Sequence, residues 1–146
     1  ELTTREADNL LNKHSGVLGI SGESSDLRDL EEDWPKKSEK ANLALEVYAY
    51  RIRKYIGAYM AALNGCDALI FTAGVGENSP IIRGIALKNL DFLGIKIDYD
   101  VNERTWRGAE GDIATSDSKV RVLVIPTNEE LVIAEDTLDI VKPKKK

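Results

Sequence analysis

The strongest structural signal in this sequence is a short apolar run that leads into two glycines and then a serine–proline pair. Residues 68–73 are continuously apolar apart from one threonine and are bounded by turn residues, a pattern typical of a strand buried on both faces of a sheet. Ser79 is disfavoured in helical geometry because it precedes proline, whereas Pro80 suits the first position of a helix. The sequence therefore predicts a strand, a glycine loop over 74–78 and a helix in direct succession.

Other segments alternate between helical and strand patterns. Apolar side chains recur at three- and four-residue steps from Ser38 to Leu63, which predicts one long helix ended by Asn64-Gly65. Its expected buried stripe is Leu45, Tyr48, Ile52, Tyr55, Ile56, Tyr59 and Leu63. The β-branched run over 119–125 predicts a strand. A final helix is predicted over 129–141, with Leu131, Ala134, Leu138 and Val141 facing inward.

Weaker patterns complete the chain. Thr3 and Glu6 have the spacing of a capping box, which predicts a short N-terminal helix. Residues 95–99 form a further candidate strand, and residues 100–118 have the polar composition of a loop. Because strands alternate with helices, we expect an α/β domain in which helices pack on a sheet.

Composition excludes several classes of protein. The 146 residues suffice for one domain with a core, and the net charge of −5 argues against nucleic-acid binding. No apolar stretch reaches the roughly 20 residues that a membrane span requires, and no signal peptide opens the chain. The single cysteine, Cys66, and the single histidine, His14, exclude a zinc cage of cysteine and histidine ligands. One cysteine also fits a reducing compartment, so we expect a cytoplasmic protein.

The chain begins at Glu1, and its single methionine is Met60. We therefore expect either a processed terminus or a cut through a longer chain. The motifs described next favour the cut.

The glycine segment is the first candidate for chemistry. Glycines at 74 and 76 let a backbone approach a ligand closely, and the helix terminus that follows favours an anion, so a phosphate or a ribose could bind against Gly74 to Asn78. The segment is neither a Walker loop nor a complete dinucleotide fingerprint. A tight turn between strand and helix explains it equally well.

The second candidate lies between the predicted strand at 119–125 and the last helix. Thr127 and Glu130 have capping-box spacing, which assigns Glu130 a structural role. Glu129 is left without a capping role and could ligate Mg²⁺, which proteins often hold through one carboxylate and nucleotide phosphates. The alternative is an acid that complements the helix dipole.

The third candidate is the segment 24–29, whose pattern predicts a serine cap before an acidic first helical turn. Arg28 could stack on a base or neutralise a phosphate, and Asp26 could accept hydrogen bonds from a ribose or a base. An ordinary capped helix explains the segment nearly as well. The charged run 31–33 that follows is expected to be a solvated surface. Neither His14 nor Cys66 can complete a nucleophile–base arrangement.

These three segments, with two others, resemble in order and spacing the C-terminal part of the acetate kinase family. The matching blocks are Leu11-Asn12-Lys13, 15–22, 24–29, 71–79 and 125–131. The resemblance covers nearly the whole chain and weakens at 31–37, at 101–105 and in the lysine tail.

The resemblance implies the ribonuclease H-like fold of the actin, heat-shock protein 70 and sugar kinase superfamily. The chain would be a single partial domain over 1–146, the C-terminal domain truncated at its N-terminal side, with a disordered tail over 142–146. The implied activity of the full-length parent is reversible transfer of the γ-phosphoryl group of ATP to acetate, which gives acetyl phosphate and ADP.

The resemblance also implies site residues. Asp26, Leu27 and Arg28 would contact the nucleoside end of ATP or ADP. The residues Gly74, Val75, Gly76, Glu77 and Asn78 would surround the ribose and phosphates. Glu129 would help to hold Mg²⁺ or Mn²⁺. None of these positions departs from the family pattern.

The family's acetate pocket and catalytic residues lie upstream of the matched segment. We therefore expect no catalytic residue in this chain and no activity from the chain alone. The implied partners are the missing N-terminal domain and a second copy in a homodimer, with no nucleic acid and no membrane. A propionate or butyrate kinase fragment and a non-catalytic nucleotide-binding module of the same fold remain alternatives.

Overall fold

A computed structural model describes residues 1–142 of the chain, so most of the predicted disordered tail lies outside the described residues. The first quarter consists of three short helices: α1 (Thr4–Lys13), α2 (Gly16–Ser21) and α3 (Leu27–Glu31). The predicted capping box is confirmed, because the Thr3 hydroxyl accepts from the Glu6 amide while the Glu6 carboxylate accepts from the Thr3 amide.

The long helix α4 (Glu39–Leu63) is confirmed at both ends. Ser38 caps it by accepting from the Ala41 amide, and Asn64 ends it in the left-handed conformation. The predicted stripe is wrong in its C-terminal half, because Tyr55, Tyr59 and Leu63 are exposed. The buried residues are Ala41, Ala44, Leu45, Ala49 and Ile56. Three of these five are alanines, so neighbouring helices can approach α4 closely.

The sheet has three short strands. Strand β1 (Ala68–Phe71) pairs in parallel with β3 (Arg121–Val124), and β2 (Gly111–Asp112) pairs antiparallel with the other side of β3. The central position of β3 confirms the predicted strand over 119–125. The predicted strand over 95–99 is reduced to a single bridge between Ile97 and Ala114.

The sheet is covered on one face only. Phe71 of β1 is buried and so are Val122 and Val124 of β3, whereas Ile70 of β1 is 52% exposed on the opposite face. The prediction of a strand buried on both faces is therefore wrong for residues 1–142, since no element they contain covers the second face. An apolar run shows that side chains can be buried but not which element buries them.

The segment predicted as a glycine loop is a helix. The helix α5 (Ala73–Asn78) starts two residues after β1, and α6 (Pro80–Leu87) follows after Ser79. The start of α6 at Pro80 is confirmed, with the Ser79 hydroxyl accepting from the Ile82 amide. The predicted loop over 100–118 likewise contains α7 (Tyr99–Arg104), which is capped by Asp98, as well as β2.

The last helix, α8 (Glu129–Val141), is present, but its predicted inward face is wrong. None of its residues is buried, and Leu131, Leu138 and Val141 are each about half exposed or more. Among the described residues α8 is anchored at its N-terminal end rather than along its length.

The core has two parts that share α6. The first lies under the sheet and includes Ile56, Phe71, Ile113, Val122 and Val124. The second lies among the helices and consists of Leu30, Ala41, Ala44, Leu45, Ala49, Ile82 and Ala86. Because Leu87 belongs to the first part and Ile82 to the second, α6 fixes the helical layer against the sheet. In residues 1–142 no helix has the length and apolar character needed to cross a bilayer.

Candidate nucleotide site

A hollow of about 1190 Å³ opens where three separated parts of the chain meet. The start of α3, the junction of α5 with α6, and the residues after α7 each contribute one wall. Of the predicted site residues, the hollow is lined by Asp26, Leu27, Arg28, Gly74, Val75 and Asn78. The structure therefore brings two of the three candidate segments to one surface.

The wall from α3 is built by one carboxylate with two roles. Asp26, and not one of the serines before it, caps α3 by accepting from the Arg28 amide at 2.9 Å. The same carboxylate binds the Arg28 guanidinium, with the shortest N–O distance at 2.6 Å. These hydrogen bonds from Arg28 lower the pKa of Asp26 to about 2. Because Asp26 occupies only the Nε and Nη2 edge of the guanidinium, the flat faces and the Nη1 donors of Arg28 remain for a ligand.

The wall from α5 is held by backbone geometry. Ala73 adopts a φ of 58°, which turns the chain from β1 into α5. A Cβ on Gly76 would lie 3.3 Å from the Phe71 carbonyl carbon, so Gly76 lets α5 pack against the end of β1. Around Gly74, by contrast, there is open space. The two glycines therefore differ, since Gly74 faces the hollow and Gly76 faces the protein.

The third candidate segment is tied directly to α5. The Thr127 hydroxyl accepts from the Ala73 amide and lies 2.9 Å from the Thr72 hydroxyl. The Thr127 amide donates to the Glu77 carboxylate at 2.7 Å. Glu77 therefore has a structural partner and does not line the hollow, while residues 127–129 lie beside the start of α5.

The predicted capping box at α8 is wrong. Asn128 caps the helix by accepting from the Leu131 amide at 3.0 Å, and the Thr127 hydroxyl is used by Ala73 instead. This removes the structural role predicted for Glu130. Glu129 is exposed on the first helical residue, and its carboxylate has no hydrogen bond or ion pair among residues 1–142.

Within the described residues, no three His, Cys, Asp or Glu side chains are grouped as metal ligands. The exposed Glu129 carboxylate is a donor of the kind that suits a cation held by one carboxylate and by ligand oxygens, as Mg²⁺ commonly is. Glu129 does not line the hollow itself. It lies two residues beyond Thr127, which is bonded to the first residue of α5.

Sequence reasoning missed Glu31, which was assigned to a solvated charged run. Glu31 is half-buried at the hollow, and its carboxylate accepts from the Ser79 hydroxyl. Burial raises the pKa of Glu31, against the lowering effects of Ser79 and of the charge on Arg83. Nothing in the run of three acids distinguishes this residue, because its burial depends on the distant α6.

Arg83 was also missed. It is fully buried in α6 and donates to the Gly76 carbonyl at 2.8 Å, to the Asn102 side chain at 2.8 Å and to the Asn102 carbonyl at 3.0 Å. Arg83 thus joins the end of α5 to α7, the two elements on either side of the hollow. Burial lowers the pKa of Arg83 to about 10, although the charge of Glu31 opposes the shift. An arginine among the apolar residues of α6 was the signal that could have identified it.

Similarity to known proteins shows which family the chain belongs to. The sequence model of the Acetokinase family matches residues 1–135 of this chain. The chain belongs to the acetokinase family. Acetate kinase of Methanosarcina thermophila is 59% identical over 145 residues, which are 99% of this chain and 35% of that protein. The chain thus spans about a third of the length of the relatives that it matches.

Solved structures of acetokinase family members agree with the fold. The crystal structure of Porphyromonas gingivalis acetate kinase matches 97% of this chain and 35% of that chain, with a TM-score of 0.85 and 49% identity. A propionate kinase from Francisella tularensis matches 92% of this chain and 34% of that chain, with a TM-score of 0.80 and 38% identity. The chain is therefore a fragment of the sugar kinase and actin-like fold, as the resemblance implied.

Proposed function

We propose that this chain is the nucleotide-binding part of a kinase that reversibly transfers the γ-phosphoryl group of ATP to acetate, giving acetyl phosphate and ADP. The observation that carries the proposal is the shared hollow, in which Asp26 and Arg28 from α3 face Gly74 and Asn78 from α5. Family membership supplies the reaction class, and the hollow supplies a surface on which a nucleotide can lie.

In this proposal each wall binds a different part of the nucleotide. The Asp26–Arg28 wall contacts the nucleoside, with the guanidinium face available to the base and the carboxylate to hydroxyl or amine donors. Gly74, Val75 and Asn78 border the ribose and phosphates, and Gly76 and Glu77 hold this wall in place through β1 and Thr127.

Glu129 is proposed as the protein ligand of Mg²⁺ or Mn²⁺. The cation would neutralise charge that develops on the phosphates during transfer. The role of this chain is to position the nucleotide, because phosphoryl transfer depends chiefly on positioning and on electrostatic stabilisation. The acetate pocket and the catalytic residues belong to the part of the enzyme outside this chain, so the chain alone should be inactive.

A propionate kinase is the second candidate function. The observation in its favour is the structural match to the Francisella tularensis propionate kinase. A nucleotide wall does not distinguish carboxylic acids, since it does not contact them. Comparing acetate, propionate and butyrate as substrates of the full-length protein separates the candidates, and failure with all three would favour a non-catalytic nucleotide-binding module.

The metal role is tested by Glu129→Ala in the full-length protein. We expect a fall in Mg·ATP-dependent acetyl phosphate formation of roughly 10²-fold, measured as hydroxamate, because one charged ligand at the transferring phosphate is lost. Glu130→Ala is the matched control, one residue away on the same exposed helical turn. It should leave both turnover and unfolding temperature nearly unchanged, because Asn128 and not Glu130 belongs to the cap. Equal losses in the two variants would contradict the assignment.

The inactivity of the chain alone has its own test. Purified residues 1–146 should form no hydroxamate above a heat-killed control. The same material should leave the activity of added full-length enzyme unchanged. Turnover by the chain alone would show that catalytic groups lie within it.

A further inference from the structure

A further wall of the hollow is formed by Trp106 and Arg107. The Trp106 indole is 38% exposed, and the Arg107 guanidinium lies 4.0 Å from its ring centroid. Neither residue belongs to a segment that the sequence analysis singled out. The nucleotide walls built by α3 and α5 leave this side of the hollow without an assigned role.

This wall is anchored to the rest of the site. The Thr105 carbonyl, one residue before Trp106, accepts from the buried Arg83, and the Thr105 hydroxyl donates to the Val101 carbonyl at 2.7 Å. Arg83 also holds the carbonyl of Gly76 in α5. The Trp106 wall and the α5 wall are therefore tied to the same buried guanidinium.

The charges around the hollow indicate which part of a nucleotide it accepts. Four acidic and two basic side chains line it: Asp26, Glu31, Glu32, Glu103, Arg28 and Arg107. Acidic side chains repel phosphates, which the proposed function assigns to the Gly74–Asn78 wall, whereas they can accept hydrogen bonds from the amine of an uncharged base. An aromatic ring at such a surface offers the base a stacking partner.

We propose that Trp106 is a base-stacking residue of the nucleotide hollow and that Arg107 holds its indole in place. The inference rests on the proposed function and extends it to a residue for which the family resemblance implied no role. Arg107 lies over the indole ring, and the exposed part of the ring that lines the hollow remains for the base. A guanidinium over one face also orients the ring, since it is attracted to the π-system.

The second tryptophan of the sequence provides a matched control. Trp34 is 39% exposed, nearly the same fraction as Trp106, but it lines a different groove between α4 and α6. The two side chains therefore differ in location and not in exposure. Substitutions at the two positions should have similar general effects on folding and different effects on nucleotide binding.

The test measures ADP binding to the full-length protein by calorimetry and by tryptophan emission. We expect Trp106→Ala to weaken ADP binding by roughly five- to 160-fold, the range for loss of one base–aromatic stack, and Trp34→Ala to leave it unchanged. Trp106→Phe should restore most of the affinity because it keeps a ring. It should also abolish the ADP-dependent change in emission that Trp34→Phe retains.

The outcomes separate this inference from the proposed function. If the wild-type protein binds ADP and Trp106→Ala binds it equally well, the stacking role is overturned while the proposed function stands. The role is also overturned if Trp106→Phe keeps the full change in emission. If the wild-type protein does not bind ADP, the proposed function fails, and the stacking role fails with it. Weaker binding in the Trp106→Ala and Trp34→Ala variants alike would assign both effects to general destabilisation and would overturn the role.

Discussion

Two carboxylates on the same hollow have opposite pKa shifts, and the difference comes from their partners. Asp26 is partly exposed and accepts hydrogen bonds from Arg28, which lower its pKa to about 2. Glu31 is half-buried, and the loss of hydration raises its pKa even though Ser79 donates to it. Hydrogen bonding stabilises the ionised form in the first case, and burial penalises it in the second.

The raised pKa of Glu31 predicts a pH dependence of stability. The folded state retains the Glu31 proton at a pH where the unfolded chain has lost it, so this carboxyl reduces stability as the pH rises above about 4.5. Glu31→Gln carries no charge at any pH. We therefore expect the free energy of unfolding of Glu31→Gln, relative to wild type, to increase between pH 4.5 and pH 7.

Urea unfolding at several pH values measures this difference. Glu103→Gln, an exposed position on the same hollow, is the control for removal of one carboxyl from this surface. A Glu31→Gln difference that falls with rising pH would contradict the pKa direction.

Arg83 leads to a second prediction at the residue scale. Arg83→Met keeps much of the volume but leaves the buried carbonyls of Gly76, Asn102 and Thr105 without their donor. We expect the free energy of unfolding of the full-length protein to fall by about 3 kcal/mol or more, measured by chemical denaturation. Arg104→Met, on an exposed turn of α7, should change it by less than about 0.5 kcal/mol. Similar losses in the two variants would show that the buried hydrogen bonds contribute little.

Helix packing depends on small residues in α4. Ala41, Ala44 and Ala49 are completely buried beside Ile82 and Ala86 of α6. Their short side chains let the backbones of the two helices approach. Some of the larger apolar residues in the stripe predicted for α4 are exposed instead. A helical period identifies which residues can share a face, but it does not give the distance to the helix that covers the face.

This packing predicts that Ala49→Leu destabilises the protein. The added methylene and methyl groups have no space beside α6, and overpacking of this kind typically costs about 1–3 kcal/mol. Ala58→Leu, on an exposed position of the same helix, is the control and should change stability by less than about 0.5 kcal/mol. Urea denaturation of both variants checks the difference. No loss in Ala49→Leu would mean that α4 and α6 can separate at little cost.

At the scale of the whole molecule, apolar surface is left exposed by the part of the chain that the structure describes. One face of β1 carries the half-exposed Ile70, and α8 exposes Ile133, Ile140 and Val141, each by 66% or more. Contiguous apolar surface of this kind commonly marks an interface with another domain or another chain. This agrees with the proposed N-terminal domain and the proposed homodimer.

The exposed surface predicts that the chain alone self-associates. Light scattering of purified residues 1–146 should give a mass above that of one chain, and the mass should rise with concentration. Replacing Ile133 and Ile140 by lysine should reduce the association without affecting the fold, because both side chains are exposed on α8. A monomer at high concentration in both proteins would contradict the prediction.

The amino-acid sequence by itself determined the local features. The cap at Thr3, the extent of α4, the start of α6 at Pro80 and the central strand β3 each follow from residues within a few positions of one another. The family motifs are also local patterns. These features could be predicted because neighbouring residues interact at short range whatever the rest of the chain does.

Only the tertiary structure decided which of these residues meet. The Thr127 hydroxyl accepts from the Ala73 amide and not from its own helix, Glu31 is half-buried beside Ser79, and Trp106 lines the same hollow as Arg28. Each pairing joins residues about 50 or more positions apart, where a local pattern carries no information about burial. Competition for one hydrogen-bond acceptor, or for space beside one helix, is settled only when distant segments pack together.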